Sequence, residues 1–167
     1  MRQIFPKKKR NELIVCATFI EKVPNLAGLA RTCEIMNAQC LLIENKLVTE
    51  DEIFKGISVT SEKWIPIHEV KQANLMEYLQ MQKNNGFTIV GIEQSANSKM
   101  LNEFEFPEKA VLVLGKEDRG IPIEFIQILD ACVEIPQFGV IRSLNVHVSG
   151  ALCIWEYTRQ MKFGKRS

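Results

Sequence analysis

Apolar runs of strand length alternate with helical patterns along most of the chain. These runs predict five buried strands, at residues 13–19, 40–43, 87–92, 110–114 and 132–135. Helical spacing and helix boundary signals predict four helices, at residues 26–33, 70–83, 121–129 and 143–161. Repeated strand–helix alternation is typical of an α/β fold, with a mostly parallel sheet and helices on both faces.

The composition is that of an ordinary globular domain. The chain has 167 residues, of which 46% are hydrophobic and 25% are charged, enough for one domain with a buried core. No apolar run approaches the roughly 20 residues of a transmembrane helix, and the polar N-terminus lacks the apolar stretch of a signal peptide. We therefore expect a cytoplasmic or nuclear location and no membrane association.

Cysteine and histidine do not indicate a metal site, so we expect no metal. The two histidines, His68 and His147, are remote from any cysteine cluster in the sequence, and zinc needs clustered ligands. The cysteines are odd in number, form no C-x-x-C pair and lie in apolar segments, which favours buried reduced thiols. They are Cys16, Cys33, Cys40, Cys132 and Cys153.

Positive charge is local rather than general. The net charge is +1, smaller than that of most nucleic-acid-binding proteins. The basic run at residues 7–10 is either a solvated tail or an arm that contacts phosphates. We assign residues 1–11 to a basic flexible arm and residues 12–167 to one domain.

Three loops of unusual composition each follow a predicted strand. They span residues 93–97, 115–120 and 136–144. In open α/β sheets, ligands bind outside the carboxyl ends of the strands. We therefore expect the three loops to converge on one crevice.

Three segments hold polar residues suited to a site, although each also has a plainer interpretation. Asn25 follows a proline and precedes a helical stripe, as an N-cap would, and Arg31 lies less than two turns later. Gly115 and Gly120 frame a charged loop that is not a P-loop and is equally typical of a tight turn. Asn145 lies in the first turn of the last predicted helix, where an amide often only caps the helix.

Together these segments resemble the three motifs of the SpoU/TrmH family of SPOUT RNA 2′-O-methyltransferases. The first motif is an asparagine followed six residues later by an arginine, here Asn25 and Arg31. The second is G-x-E-x-x-G, here residues 115–120, and the third is I-P-x-x-G-x-x-x-S-L-N-V, here residues 135–146. All three occur in the family's order, and the resemblance spans roughly residues 13–160.

The resemblance implies a fold, a reaction and partners. The implied fold is SPOUT-like, an α/β domain with a C-terminal trefoil knot, and the resemblance also implies a homodimer. The reaction moves a methyl group from S-adenosylmethionine to a ribose 2′-hydroxyl of RNA and leaves S-adenosylhomocysteine. Residues 143–152 favour the subgroup of eukaryotic tRNA guanosine-2′-O-methyltransferases, which modify a guanosine of the tRNA D-loop and carry a long helical extension before this domain.

The resemblance also implies roles for residues. A catalytic group would comprise Arg31, Asn25, Glu117, Ser143 and Asn145. In it, Arg31 would hold a phosphate and stabilise the developing alkoxide, or take the hydroxyl proton with that phosphate's help. The cofactor would contact Ile92, Glu93, Gln94, Gly115, Gly120, Ile135, Gln137 and Leu144. We expect RNA contacts at Lys8, Lys9, Arg10, Arg119 and Arg142.

The first and last helices, with Trp155, are the candidates for the dimer interface. The last helix has an apolar stripe at i, i+4, i+7, i+8 and i+11. The stripe consists of Leu144, Val148, Ala151, Leu152 and Trp155. Ordinary core packing of Trp155 is an equally good interpretation.

Some residues depart from the family pattern. His147 stands where many relatives have a small polar residue, and Lys116, Asp118 and Arg119 make the second motif unusually charged. Two alternative functions remain open. One is a non-catalytic RNA- or protein-binding module on the same fold, and the other is 2′-O-methylation of rRNA or of a tRNA wobble nucleotide.

Overall fold

The computed structural model describes residues 9–164, and that range contains seven strands and five α-helices. The strands are β1 (Leu13–Cys16), β2 (Cys40–Ile43), β3 (Ile67–Glu69), β4 (Thr88–Ile92), β5 (Lys99–Met100), β6 (Ala110–Val113) and β7 (Ala131–Glu134). The helices are α1 (Val23–Ile35), α2 (Glu52–Ser58), α3 (Gln72–Asn84), α4 (Ile123–Ile126) and α5 (Val146–Phe163). Short 3₁₀ helices lie at Lys46–Glu50, Ser61–Lys63 and Leu101–Glu103.

The strands form one parallel sheet in the order β3-β2-β1-β6-β4-β7-β5. Alternate residues of β1 point to opposite faces, as the pleat of a strand requires. Leu13 and Val15 join a core with α1, α2 and α5, whereas Ile14 and Cys16 join a second core with α3 and α4. The predicted α/β fold, with a parallel sheet between two helical layers, is confirmed.

The strand connections proceed in opposite directions across the sheet on either side of the two central strands β1 and β6. From β1 the chain passes through α1 to β2 on one side, and from β6 it passes through α4 to β7 on the other. The connections therefore diverge at the carboxyl ends of β1 and β6. Such a reversal opens a crevice, which is where ligands bind in sheets of this kind.

Every predicted strand and helix is present, with boundaries displaced by no more than three residues. Three elements were not predicted, namely β3, α2 and β5. β5 has only two residues, both exposed, and β3 buries one residue of three. The helix α2 buries only Phe54 and Ser58. Elements this short contain too few buried positions for a period to be visible.

Two helix starts differ from the prediction. The N-cap residue of α1 is Lys22 rather than Asn25, and Pro24 occupies the first turn, where its fixed φ suits a helix start. The helix α5 begins after Asn145, whose side-chain oxygen caps it, rather than at Ser143. Ser143 has a φ of +66°, a left-handed conformation that excludes it from a right-handed helix.

The apolar stripe predicted for the last helix does not face the core. The residues that α5 buries are Gly150, Cys153, Ile154, Tyr157 and Thr158. Leu144, Val148, Leu152 and Trp155 remain between 40% and 45% exposed. The helix is apolar on two faces, so helical spacing alone could not identify the inner one.

The predicted N-terminal arm is only partly within the described residues, because residues 1–8, including Lys8, lie outside them. Arg10 is held by the domain, since it pairs with Glu34 at 2.9 Å and donates to the carbonyls of Ala38 and Trp64. Asn11 donates to the Met36 carbonyl. Residues 10 and 11 are thus part of the folded domain rather than of a flexible arm.

The cysteines are free thiols, and all are buried except Cys132, which is half-buried. Burial raises the pKa of Cys40 and of Cys153 to about 12, so both stay protonated at neutral pH. Within residues 9–164, no helix is both long and apolar enough to cross a membrane.

Candidate functional site

A cavity of about 260 Å³ opens at the carboxyl ends of β4, β6 and β7. Its wall includes every residue expected to contact a cofactor: Ile92, Glu93, Gln94, Gly115, Gly120, Ile135, Gln137 and Leu144. Glu117, Arg119 and Ser143 line it as well. The three loops that follow β4, β6 and β7 therefore meet at one place.

The loop at residues 115–120 is closed on itself. Lys116 and Gly120 exchange two backbone hydrogen bonds, of 2.8 and 3.0 Å. A Cβ on Gly115 would lie 2.3 Å from the carbonyl carbon of Gly120, so a larger residue cannot fit there. Gly120 has a φ of +72°, and Glu93 accepts a 2.8 Å hydrogen bond from the N–H of Ile121. Both glycines thus shape the cavity wall.

The carboxylate of Glu117 binds the start of α1. Glu117 Oε1 accepts hydrogen bonds from the N–H groups of Lys22 at 2.9 Å and Glu21 at 3.2 Å. It also accepts a longer bond, of 3.4 Å, from Asn25 Nδ2. Free N–H groups at a helix N-terminus attract an anion, and here a side chain provides it.

Asn25 continues these contacts to the third motif. Its Oδ1 accepts a 3.0 Å hydrogen bond from Asn145 Nδ2, and Asn145 Oδ1 accepts from the N–H groups of His147 and Val148. Glu117, Asn25 and Asn145 therefore form a continuous chain that we call the polar bridge. It joins the three motifs across the crevice between β1 and β6.

The surroundings of Glu117 act on its pKa in opposite directions. Partial burial raises the pKa by desolvation, but hydrogen bonds from backbone N–H groups, led by that of Lys22, and from Asn25 favour the charged form. Together they lower the pKa of Glu117 below its usual range. The polar bridge is therefore built around a carboxylate that is ionised at neutral pH.

We expect the stability of the protein to depend on the charge of Glu117 in acid. A carboxyl whose pKa is lowered by folding stabilises the fold above its unfolded pKa of about 4.3 and loses that contribution as the pH falls through its folded pKa. The variant Glu117→Gln should lack this part of the acid destabilisation. Urea denaturation of both proteins over a pH series would measure the free energy of unfolding. If both proteins lost the same amount of stability as the pH fell, Glu117 would not be the group responsible.

The remaining predicted residues lie at different distances from the cavity. Arg31 is on the exposed side of α1 and does not line the cavity. The N–H of Ser143 donates to Gln137 Oε1 at 3.4 Å, within the third loop. Arg119 is exposed and pairs with Asp118, and Arg142 is exposed on the third loop.

Arg10 lies away from the site. It precedes β1 and is therefore at the amino end of the sheet, whereas the cavity is at the carboxyl end. Its guanidinium is already bound to Glu34 and to two carbonyls. Lys9 is exposed at the same end of the sheet.

His147, for which no role was predicted, packs across α1. Its Nε2 lies 3.0 Å from Thr32 Oγ1, and a Cβ on Gly28 would lie 2.5 Å from its Nδ1. Desolvation lowers the pKa of His147, so the ring is neutral at physiological pH. The only sequence signal was the unusual residue type at that motif position. Further cavity residues that were not predicted are Leu114, Lys116, Asp118, Val133, Glu134, Val146 and Ser149.

Comparison with known proteins gives one family. The sequence model of the SpoU rRNA Methylase family matches residues 12–155. A mouse protein named tRNA (guanosine(18)-2'-O)-methyltransferase TARBP1 is 52% identical over 157 residues, covering 94% of this chain and 10% of that protein. The chain thus spans about a tenth of the length of this relative.

Solved structures show the same architecture. The TrmH/SpoU tRNA modifying enzyme of A. aeolicus has a TM-score of 0.82 at 32% identity, covering 93% of this chain and 78% of that chain. The AdoMet-bound rRNA methyltransferase of Sinorhizobium meliloti has a TM-score of 0.79 at 21% identity, covering 93% and 59%. At 21% identity, the likeness to the Sinorhizobium meliloti enzyme shows a shared fold alone.

Proposed function

Because the chain belongs to the SpoU rRNA Methylase family, we propose that it is an S-adenosylmethionine-dependent RNA 2′-O-methyltransferase acting on a guanosine of tRNA. Relatives named for methylation of guanosine(18) of tRNA include the mouse protein and a 31% identical protein of Aquifex aeolicus, of which the chain covers 74%. A soluble enzyme of the cytoplasm or nucleus fits this substrate.

The single observation that carries the proposal is the polar bridge. Asn25, Glu117 and Asn145 come from three motifs that are far apart in the chain, yet they are joined by hydrogen bonds of 3.4 and 3.0 Å. A module that only binds a partner has no need for this arrangement beside a cavity. The bridge also ties α1, the helix that carries Arg31, to the loops that form the cavity.

The cavity suits S-adenosylmethionine. Its wall combines apolar side chains, such as Ile92, Ile135 and Leu144, with polar groups from the loop at residues 115–120. A nucleoside has apolar ring faces and a polar rim, and pockets of this mixed kind bind such molecules. When bound, the cofactor supplies a methyl group on a positively charged sulfur, and S-adenosylhomocysteine is the product.

Arg31 is proposed to act on the RNA rather than on the cofactor. An arginine with a pKa above ~12 is a poor base, but its planar group binds phosphate and stabilises a developing alkoxide. Asn25 and Glu117 hold the helix that carries Arg31, and Asn145 holds the start of α5. Ser143, which lines the cavity, is proposed to orient the ribose.

RNA is proposed to approach over the exposed rim of the cavity. Arg119 and Arg142 lie on two of the loops that form it, and both side chains are exposed. Lys9 and Arg10 are at the other end of the sheet from the cavity, so the rim is the better phosphate contact.

We also propose that the chain forms the trefoil knot of the family and that it assembles as a homodimer. The third loop leads from β7 to α5, and α5 packs on α1 near the opposite side of the crevice. A C-terminal segment that forms a knot must pass back across the sheet in this way. The exposed stripe of α5 is the proposed subunit interface, because a row of large apolar side chains on a surface marks an interaction site.

Replacing Trp155 by glutamate should dissociate the dimer, since a charge would be buried at the interface. The apparent dissociation constant should rise by at least about tenfold. Sedimentation of wild type and variant would measure it. The matched control is Leu47→Glu, which places the same charge at an exposed leucine far along the chain from α5. A monomeric wild type would contradict the proposed dimer.

The function is tested by incubating the chain with methyl-labelled S-adenosylmethionine and tRNA transcripts. We expect label on one D-loop guanosine, and none on a transcript with 2′-deoxyguanosine at that position. Label only on a wobble nucleotide, or only on rRNA in a parallel reaction, would overturn the proposed tRNA substrate. Calorimetry without any heat of cofactor binding would favour the non-catalytic module instead.

A further inference from the structure

Beside the cavity, the helices α1 and α5 each place a glycine against a side chain of the other helix. A Cβ on Gly28 of α1 would lie 2.5 Å from Nδ1 of His147, and a Cβ on Gly150 of α5 would lie 2.8 Å from Cδ2 of Leu29. Each helix therefore presents a glycine to a side chain of the other. This reciprocal fit brings the two backbones close together at one crossing point.

His147 is held there by both its side chain and its backbone. The Nε2 atom lies 3.0 Å from Thr32 Oγ1, and Thr32 is one turn after Gly28 on the same face of α1. The backbone N–H of His147 donates to Asn145 Oδ1 at 2.9 Å. The residue thus connects α1 to the capped start of α5.

Arg31 lies in the same turn of α1 that receives the imidazole. It precedes Thr32 in the sequence and follows Gly28 by three residues. Its own side chain is exposed, so its position depends on where the helix is held. The start of α5, against which the helix is held, contributes Val146 and Ser149 to the cavity wall.

We infer that His147 is a positioning residue, which sets the distance between Arg31 and the cofactor cavity by fixing the crossing of α1 and α5. This inference rests on the proposed function. Its ring meets α1 at two points, a 3.0 Å approach of Nε2 to Thr32 Oγ1 and close packing over Gly28, and His147 is not among the residues that line the cavity. Loss of the ring should therefore affect the rate of methyl transfer more than the binding of the cofactor.

Four variants test this positioning: His147→Ser, Gly28→Ala, their combination and Thr32→Val. Displacement of a reacting group by about 1 Å costs up to about 100-fold in rate, so we expect each single change to lower kcat by about tenfold. KM for tRNA and Kd for S-adenosylmethionine should stay within about twofold. The double variant should be no slower than His147→Ser alone, because the added methyl group enters the space that the ring has left.

Two conservative variants complete the set. Thr32→Ser keeps the hydroxyl, so its kcat should stay close to that of the wild type, unlike the kcat of Thr32→Val. His147→Asn is a second probe of the same position and guards against a failure of His147→Ser to fold. Circular dichroism and the Tm of each variant show whether its fold is retained.

The results separate the inference from the proposed function. A wild-type chain that binds S-adenosylmethionine but methylates no RNA overturns the proposed function before any variant is made. With an active wild type, an unchanged kcat in His147→Ser overturns the inference. It is also overturned if kcat, KM, Kd and Tm all worsen together, since that is the signature of a merely structural role, or if the double variant loses activity additively.

Discussion

Replacing Arg31 by alanine is expected to abolish methyl transfer to RNA while leaving S-adenosylmethionine bound as in the wild type. Arg31 does not line the cavity, so the cofactor loses no contact. The RNA loses the cation proposed to hold its phosphate and to stabilise the oxyanion. Removing one such stabilising group costs about 10²–10³ in kcat. Single-turnover transfer and calorimetry, run on the same preparation, would measure both properties.

Two further variants define what Arg31 contributes. Arg31→Lys keeps the charge but not the planar fork, and should recover only part of the rate. Arg159→Ala removes an arginine that pairs with Glu156 near the end of α5, and should keep the wild-type rate. If Arg31→Ala methylates RNA almost as fast as the wild type, Arg31 is not catalytic.

Replacing Gly115 by alanine is expected to remove cofactor binding and to destabilise the domain. The new Cβ would lie 2.3 Å from the carbonyl carbon of Gly120 and 2.5 Å from the nitrogen of Ile121, and neither backbone atom can move away without opening the loop. The two hydrogen bonds between Lys116 and Gly120 would then be lost. We expect a loss of about 3 kcal/mol in the free energy of unfolding and at least about 100-fold weaker binding.

Gly56→Ala is the matched control for this change. Gly56 is exposed on α2, and nothing lies within 4 Å of the position that a Cβ would take. Alanine there should stabilise the helix by about 0.5–1 kcal/mol and leave binding unchanged. Calorimetry and urea denaturation would compare the two variants. Wild-type cofactor affinity in Gly115→Ala would show that the closed loop is not part of the binding site.

The architecture was predictable because buried parallel strands are continuously apolar. The runs that became β1, β2 and β6 are fully buried and are visible without reference to any relative. The direction in which α5 faces was not predictable, since Trp155 and Ile154 are both large, apolar and adjacent in sequence, yet Ile154 is fully buried and Trp155 is 45% exposed. Only the packing of the whole chain decides such a case.

The lining of the cavity was predictable from the sequence, but the hydrogen bonds beside it were not. Glycine and polar residues after the strands identified the cavity wall, because the carboxyl ends of parallel strands share an edge. The hydrogen bond between Asn25 and Asn145 could not be read from spacing, and Asn25 was mistaken for an N-cap. The fit of His147 on Gly28 is likewise a property of two surfaces, and neither segment shows it alone.

The polar bridge also has a consequence for biosynthesis. The hydrogen bond between Asn25 and Asn145 spans 120 residues, and contacts so distant in sequence form late, because a long stretch of chain must first be closed into a loop. At about 5–20 residues per second, a ribosome would release α1 roughly 6–24 s before its partner. During that interval Asn25 has no Asn145 to bond with, so the polar bridge can be completed only after the third motif has been synthesised.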